Sequence, residues 1–355
     1  MQIAYFRYSQ YKPQKSVFLG LFLLLLPLVS ACDSAPNPSQ QSVAQHSSYY
    51  SILPQDKNTE ITEDFMQIKL LGSIEIKSVR VNSLKVSELS DLAWDEDQQL
   101  LYAISDEGLL YHLHVTIKQG KLKSARIVFA TPLKDKSGKA LAGKYSDSEG
   151  LDIINANNGI KGDSQLIVSF EHKPRIAYYK PDGTFIQSPG IPGFLTKKKY
   201  YRSKNKALES VTYHPQYGIL TAAEYPLKKY KKNYQSLFSS KGKIWHFPAS
   251  KASNSAITAL QTLADGDVLM LERAYKNPLI PIRIYLRRIR LKHCNKKQQC
   301  RVDTVAAFNG ADGWLLDNFE GLAHYRGNKY FMVSDDNNNP LQKTILLMFE
   351  IKSAN

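Results

Sequence analysis

The 355-residue chain is 43% hydrophobic and 22% charged, with 19 Gly and 16 Pro, which excludes wholesale disorder, collagen-like repeats and a polytopic membrane protein. Its 47 Lys and Arg against 32 Asp and Glu leave a net charge of +15, which favours anionic partners: nucleic acid, lipid headgroups or phosphorylated small molecules.

Residues 1–16 carry Arg7, Lys12 and Lys15 and no acid, and Val17 to Val29 form an apolar run of 13 residues. That is short of the roughly 20 residues of a membrane span and has the layout of a secretory signal peptide. Val29-Ser30-Ala31-Cys32 then resembles a bacterial lipobox, in which small residues precede a cysteine that becomes lipidated. The expected boundaries are a lipoprotein signal peptide over 1–31, then a lipidated Cys32 and a Ser/Gln/Pro/Asn-rich flexible tether over 32–60. The expected location is the cell envelope, lipid-anchored to the bacterial cell membrane and facing the periplasm in a Gram-negative cell. An ordinary signal peptide with an incidental cysteine is the alternative. In an oxidising compartment the other two cysteines, Cys294 and Cys300, are expected to form a disulfide stapling a hairpin. A metal site there would need more soft ligands than His293 supplies.

From residue 61 to 355 short strand-like runs alternate with turn signals such as DEDQ, PQYG, ADGD and RGNK, and helical periodicity is nearly absent. A unit recurs five times, starting at Asp91, Glu149, Glu209, Gln261 and Glu320, with spacings of 58, 60, 52 and 59 residues. That period, with about four strands per unit, predicts one all-β domain: a β-propeller of five four-stranded blades, a sixth degenerate blade being left open. The strand IKLLGSIEI is expected to pair with TILLMFEI and close the ring, leaving no long free edge. An open β-sandwich pair is the competing architecture.

Each unit opens on an acid or amide and carries an acid at the end of its second strand: Asp91 with Asp106, Glu149 with Glu171, Glu209 with Glu224, Gln261 with Glu272, and Glu320 with Asp335. The midpoint of each pair falls in a turn, so the partners are expected to meet across an antiparallel hairpin at its end away from the turn. Those ends share one face of a propeller. Carboxylates gathered there repel one another, so something positive must sit among them. A hard cation such as Ca²⁺ would serve, as would Lys173, Arg175, Lys206, Arg273 or Lys343. The plainer reading is that these acids only hold the backbone amides of neighbouring blades.

The basic surplus is concentrated in 197–232, with ten Lys or Arg against Glu209 and Glu224, and in 283–301, with eight and no acid. Lys interleaved with Tyr can read as nucleic-acid binding, but export argues against a nucleic-acid partner. Basic loops meeting anionic lipid, or steering a phosphorylated small molecule, fit better, with solvated loops lacking any partner as the plain alternative. The G-x-S-x-G elbow, H-E-x-x-H, Walker A, G-x-G-x-x-G and EF-hand patterns are absent from the sequence. His112 and His114 are two apart on a strand and could hold a metal jointly, though satisfied histidines are commoner.

Several segments in order, LSDLAWDEDQQLLYAISDEG, DSEGLDII with FEHKPRIAYYKPDG, NKALESVTYHP, LQTLADGDVLMLERAY and NFEGLAHYRGNKYFMVSDDNNNPLQKTILLMFEI, are similar to the bacterial phytase-like domain proteins, described as having esterase-like activity of phytase. The resemblance covers most of 66–351. It implies a β-propeller and Ca²⁺-assisted hydrolysis of a phosphate ester. In that scheme Glu149, Glu209 and Glu320 are the catalytic residues. Asp91, Asp106, Glu149, Glu171, Glu209, Glu224, Glu272, Glu320 and Asp335 are the metal ligands, and Lys173, Arg175 and Arg273 bind the substrate. The Asp-rich signatures of alkaline propeller phytases are not recognisable in this chain, which points away from phytate itself. The contrasting expectation is a non-catalytic propeller that binds an anionic ligand or protein partner through the same face.

Overall fold

A computed structural model describes residues 46–54, 63–203, 206–252, 254–275 and 280–352. The expected signal peptide and Cys32 lie outside the described residues. Three strands precede the repeats: β1 (Ser47–Tyr50), β2 (Asp64–Phe65) and β3 (Ile68–Ile76). A two-stranded ribbon follows, β4 (Arg80–Val81) with β5 (Leu84–Lys85). Blade 1 is β6 (Leu89–Asp95), β7 (Leu100–Ser105), β8 (Leu109–Lys118) and β9 (Lys121–Pro132). Blade 2 is β10 (Ser148–Ile154), β11 (Gln165–Phe170), β12 (Arg175–Tyr179) and β13 (Phe185–Gln187). Blade 3 is β14 (Leu208–His214), β15 (Gly218–Ala223), β16 (Tyr234–Ser239) and β17 (Ile244–Pro248). Blade 4 is β18 (Ser255–Thr262), β19 (Val268–Ala274), β20 (Arg283–Cys294) and β21 (Cys300–Asn309). Blade 5 joins β22 (Asn318–His324), β23 (Lys329–Asp335) and β24 (Thr344–Ile351) to β3, which pairs antiparallel with β24.

Five antiparallel blades thus form the propeller among the described residues. Each inner strand (β6, β10, β14, β18, β22) touches the next, and β22 touches β6. Apolar side chains fill the wedge between each pair of blades. Ile104 and Tyr102 of blade 1 meet Leu151 and Phe170 of blade 2; Ile167 and Tyr178 meet Val211 and Phe238 of blade 3. Trp245 and Phe247 then meet Ile257 and Met270 of blade 4; Leu271 and Phe308 meet Phe319 and Met332 of blade 5, whose Phe331 and Val333 return to Leu92 and Trp94 of blade 1. Each fully buried Leu, Ile, Val or Phe contributes about 1.5–3 kcal/mol, so the wedges are the main cohesive element of the ring.

Residues 47–50, which the sequence reading assigned to the tether, instead form β1 on the edge of β3, with Ser48 opposite Glu75. Ser47 is buried and its hydroxyl accepts the Ala125 N–H at 2.9 Å, an anchorage that a Ser-rich composition does not reveal. The basic stretch 283–301 is a correction too. It is expected as a solvated loop, but it forms most of the β20–β21 hairpin. Arg287 pairs with Glu272, Arg288 with Asp265 and Asp267, Arg290 with Asp267 and Asp303, and Arg301 with Asp303, so four of its eight cations are paired among the described residues. A disulfide joins Cys294 and Cys300 at the tip of this hairpin.

Candidate functional site: an acidic axial mouth

Every inner hairpin carries a bulge that spacing alone does not show. Register shifts occur between Leu89 and Asp91, Ser148 and Leu151, Leu208 and Ser210, Ile257 and Ala259, and Phe319 and Gly321. A bulge adds one residue that faces no partner and can re-aim its side chain. The bulged positions, in blade order, are Ser90, Glu149, Glu209, Thr258 and Glu320. The residues closing the second strands at the same level are Asp106, Glu171, Glu224, Arg273 and Asp335. The residue after each bulge packs against the next inner strand. A β-carbon on Gly150 would lie 2.8 Å from Ser210 Cα, and one on Gly321 2.7 Å from Asp91 Cα. This gives the recurrent Glu-Gly-Leu its physical sense: the Glu is swung out at the bulge, the Gly admits the neighbouring backbone, and the Leu enters the wedge.

This register separates the sequence-predicted residues. Asp106, Glu149, Glu171, Glu209, Glu224, Glu320 and Asp335 come together. Glu149 lies in the field of Asp106, Glu209, Asp147 and Glu171, while Glu209 feels Glu224, Glu171 and Glu320, so acids from four blades face one another around the axis. Asp91 does not join them. It is fully buried, accepts the Leu92, Leu151 and Leu322 amides at 2.9, 2.7 and 2.8 Å, and so latches blade 1 to blades 2 and 5. Asp152 does the same for blade 3 through Thr212 and Tyr213, at 2.9 and 2.6 Å. Gln261 accepts the His324 amide at 2.9 Å. For Asp91 the plain reading, an acid holding neighbouring backbone, describes the geometry.

Glu272 is also turned away. It sits opposite Ile257, one residue out of phase with the acids of the other blades, and its buried carboxylate takes two bonds of 2.9 and 3.0 Å from Arg287. The place of an acid in blade 4 is filled by Arg273, whose guanidinium contacts Glu320 and Asn318 and stands 3.7 Å from Glu224. Of the three expected substrate-binding cations, only Arg273 is inside the mouth. Arg175 lies 3.6 Å over the Phe170 ring and donates to the Tyr145 and Lys173 carbonyls, and the exposed Lys173 lies near the Tyr145 ring. Lys206 reaches Glu224 at 2.8 and 2.9 Å, whereas Lys343 pairs with Glu75. His112 is used up by the Pro181 carbonyl at 2.8 Å and by packing against Tyr102 and Phe129.

Burial and like charge set the protonation of the mouth. Burial, then Glu320, pushes Asp106 up to about 8, and burial, then Glu320 and Asp106, pushes Asp335 up to about 9. Glu149 and Glu209 are raised well above the carboxylate range by burial and their acidic neighbours. Burial and Asp147 bring Glu171 to about 7, moderated by the Ala207 amide at 3.0 Å and by a hydrogen bond with Glu209. Glu224 is raised by burial despite Lys206 and Arg273. Two cations therefore leave the mouth short of positive charge.

Two residues absent from the sequence expectation complete the site. Asp147 contacts the His172 ring and accepts the His172 amide at 2.7 Å. Both lie inside recognised segments, Asp147 opening DSEG and His172 within FEHKP, but only the fold shows that they touch. Donor atoms of Asp147, Glu171 and His172 all lie within 4.8 Å of one another, as do those of Glu171, Glu209 and Glu224. Oxygens on opposite sides of a Ca²⁺ ion, each about 2.4 Å from it, are separated by about 4.8 Å. The all-oxygen triad of Glu171, Glu209 and Glu224 fits a hard divalent cation at that spacing, whereas the other triad includes the His172 ring nitrogen.

The fold and site define a five-bladed β-propeller with carboxylates lining one axial mouth. The family model Phytase-like, described as "Esterase-like activity of phytase", matches residues 84–338, and the chain belongs to that family. No curated protein sequence matches the chain. Among solved structures, "Structure of U3-55K" aligns at 10% identity and TM-score 0.36, covering 76% of this chain and 77% of that one. "Structure of Dos1 propeller" aligns at 10% and 0.31 over 79% and 74%, and "Crystal structure of RRP9 WD40 repeats" at 9% and 0.35 over 79% and 82%. Likeness at that level carries no functional argument.

Proposed function

We propose that the chain is a lipid-anchored envelope protein whose acidic mouth hydrolyses a phosphate ester with a bound divalent cation, Ca²⁺ by donor type. The observation that supports this most is the pair of donor triads sharing Glu171. Glu171, Glu209 and Glu224 would hold this ion through oxygen alone, and Asp147, Glu171 and His172, with one nitrogen donor, would suit a softer second ion. A cation bound there supplies Lewis acidity towards phosphate oxygens. Arg273, the cation between Glu224 and Glu320, would offset charge that develops on a phosphoryl group. Glu149, whose carboxyl is raised well above the usual carboxylate range by burial and its acidic neighbours, would give its proton to a departing alkoxide. Lys173 and Arg175, outside the mouth, would act on approach of the substrate.

Phosphate release from a substrate panel, with and without a chelator, tests the reading. Chelator-sensitive turnover that falls at least tenfold in Glu149→Gln and Glu209→Gln supports it. Cation binding without turnover on any substrate replaces it with the non-catalytic binder.

A further inference from the structure

We propose that the face bearing the acidic mouth is also the face that docks on an anionic lipid surface, through the lysines of blade 3. Three observations converge on it. The first is where the chain enters. The mouth lies at the end of each blade where the inner strand begins and its neighbour finishes. β24 starts from that end at Thr344, Ile76 of β3 lies opposite Thr344, and Ser47 of β1 lies opposite Ile76. The chain therefore arrives at His46, whose carbonyl accepts the Lys77 amide at 2.8 Å, on the same face as the mouth.

The second is charge. The connection into β14 and the one leaving β15 are also at this end, because Leu208 pairs with Ala223. They pack as one surface: Lys228 N–H donates to the Tyr200 carbonyl at 2.9 Å, and Arg202 donates to the Pro226 and Tyr230 carbonyls at 2.7 and 2.8 Å. Lys197, Lys199, Lys228, Lys229, Lys231 and Lys232 are exposed on it. None of the six forms a salt bridge among the described residues, in contrast to Arg287, Arg288 and Arg290 of β20. Lys229 lies 3.9 Å over Phe194, which fixes its loop onto the blade. The third is reach. From Cys32 to His46 there are 46 − 32 = 14 residue steps, about 50 Å of fully extended chain. An anchor at Cys32 thus leaves this face within reach of the bilayer.

An anionic membrane fits better than a soluble polyanion because both the charge and the chain's entry point share the face. Lysines near an anionic surface act additively within a Debye length, each changing affinity by about fivefold. The inference uses the anchored reading only for the tether and does not need the hydrolase.

The test is hydrogen–deuterium exchange on the full chain with phosphatidylcholine vesicles and with vesicles containing phosphatidylglycerol. Expected is slower exchange over 197–201 and 226–232 with the anionic vesicles only, reversed by 0.5 M salt and by Lys228→Glu/Lys231→Glu/Lys232→Glu, with the opposite-face turn 155–160 unchanged. Unaltered thermal melting of that variant shows that its fold is retained. Equal exchange with both lipids, protection of 155–160 instead, or protection by soluble polyphosphate but not by anionic vesicles would overturn the inference. Co-flotation with both vesicle types but no local protection would leave the anchor standing and remove the docking face.

Discussion

Replacing Arg273 by Gln removes the guanidinium from between Glu224 and Glu320. Glu224 keeps Lys206 at 2.8 Å, so Glu320 is the acid left with only the amide of Asn318, at 3.0 Å. Losing one partner of a buried pair costs about 3–5 kcal/mol. Because the Arg273 side chain is 18% exposed and that of Glu320 15%, the expected loss in cation-free protein lies at the lower end of that range or just below it, about 2–3 kcal/mol. Urea unfolding of both proteins at pH 7 with chelator measures this. A loss below about 0.5 kcal/mol would refute the placement of Arg273 as the counter-charge of the mouth.

The mouth acids are raised in the fold, to about 7 for Glu171, 8 for Asp106 and 9 for Asp335, so the folded chain binds more protons than the unfolded one between roughly pH 4 and 9. Cation-free stability is therefore expected to fall as pH rises through that window, and added Ca²⁺ to recover it most above pH 8, as thermal melts would show. Asp91→Ala strands three amides and is expected to cost about 3 kcal/mol or more without altering Ca²⁺ affinity in calorimetry. Gly150→Val drives a side chain into Ser210 and is expected to destabilise by about 2 kcal/mol or more, whereas the same change at the open Gly159 differs by strain alone, read from paired denaturant midpoints.

The blades were legible because each turn-punctuated hairpin repeats at a near-constant spacing, and pairing at that spacing brings most of the acids to one end. The bulge was not legible. One extra residue in the inner strand changes no composition and no period, yet it moves Asp91 out of the ring of acids and into the backbone latches. It likewise puts Arg273 rather than Glu272 at the rim of blade 4. Blade 4 also opens on Thr258 at the bulge, three residues before the Gln261 that the repeat alignment selects. Asp147 and His172 escaped because they belong to the two ends of blade 2's inner hairpin, 25 residues apart in sequence. The strand β1 escaped for a different reason: its Ser and Tyr residues pair on an edge rather than filling a wedge, so composition reads them as tether.

Calorimetric titration of the purified protein with Ca²⁺ at pH 8, in buffers of different ionisation enthalpy, tests the acidic mouth most directly. The account predicts saturable binding with proton release, lost in Glu171→Gln/Glu209→Gln and kept in Glu272→Gln. Absence of binding at millimolar Ca²⁺, or binding unchanged by the Glu171/Glu209 pair, would contradict it.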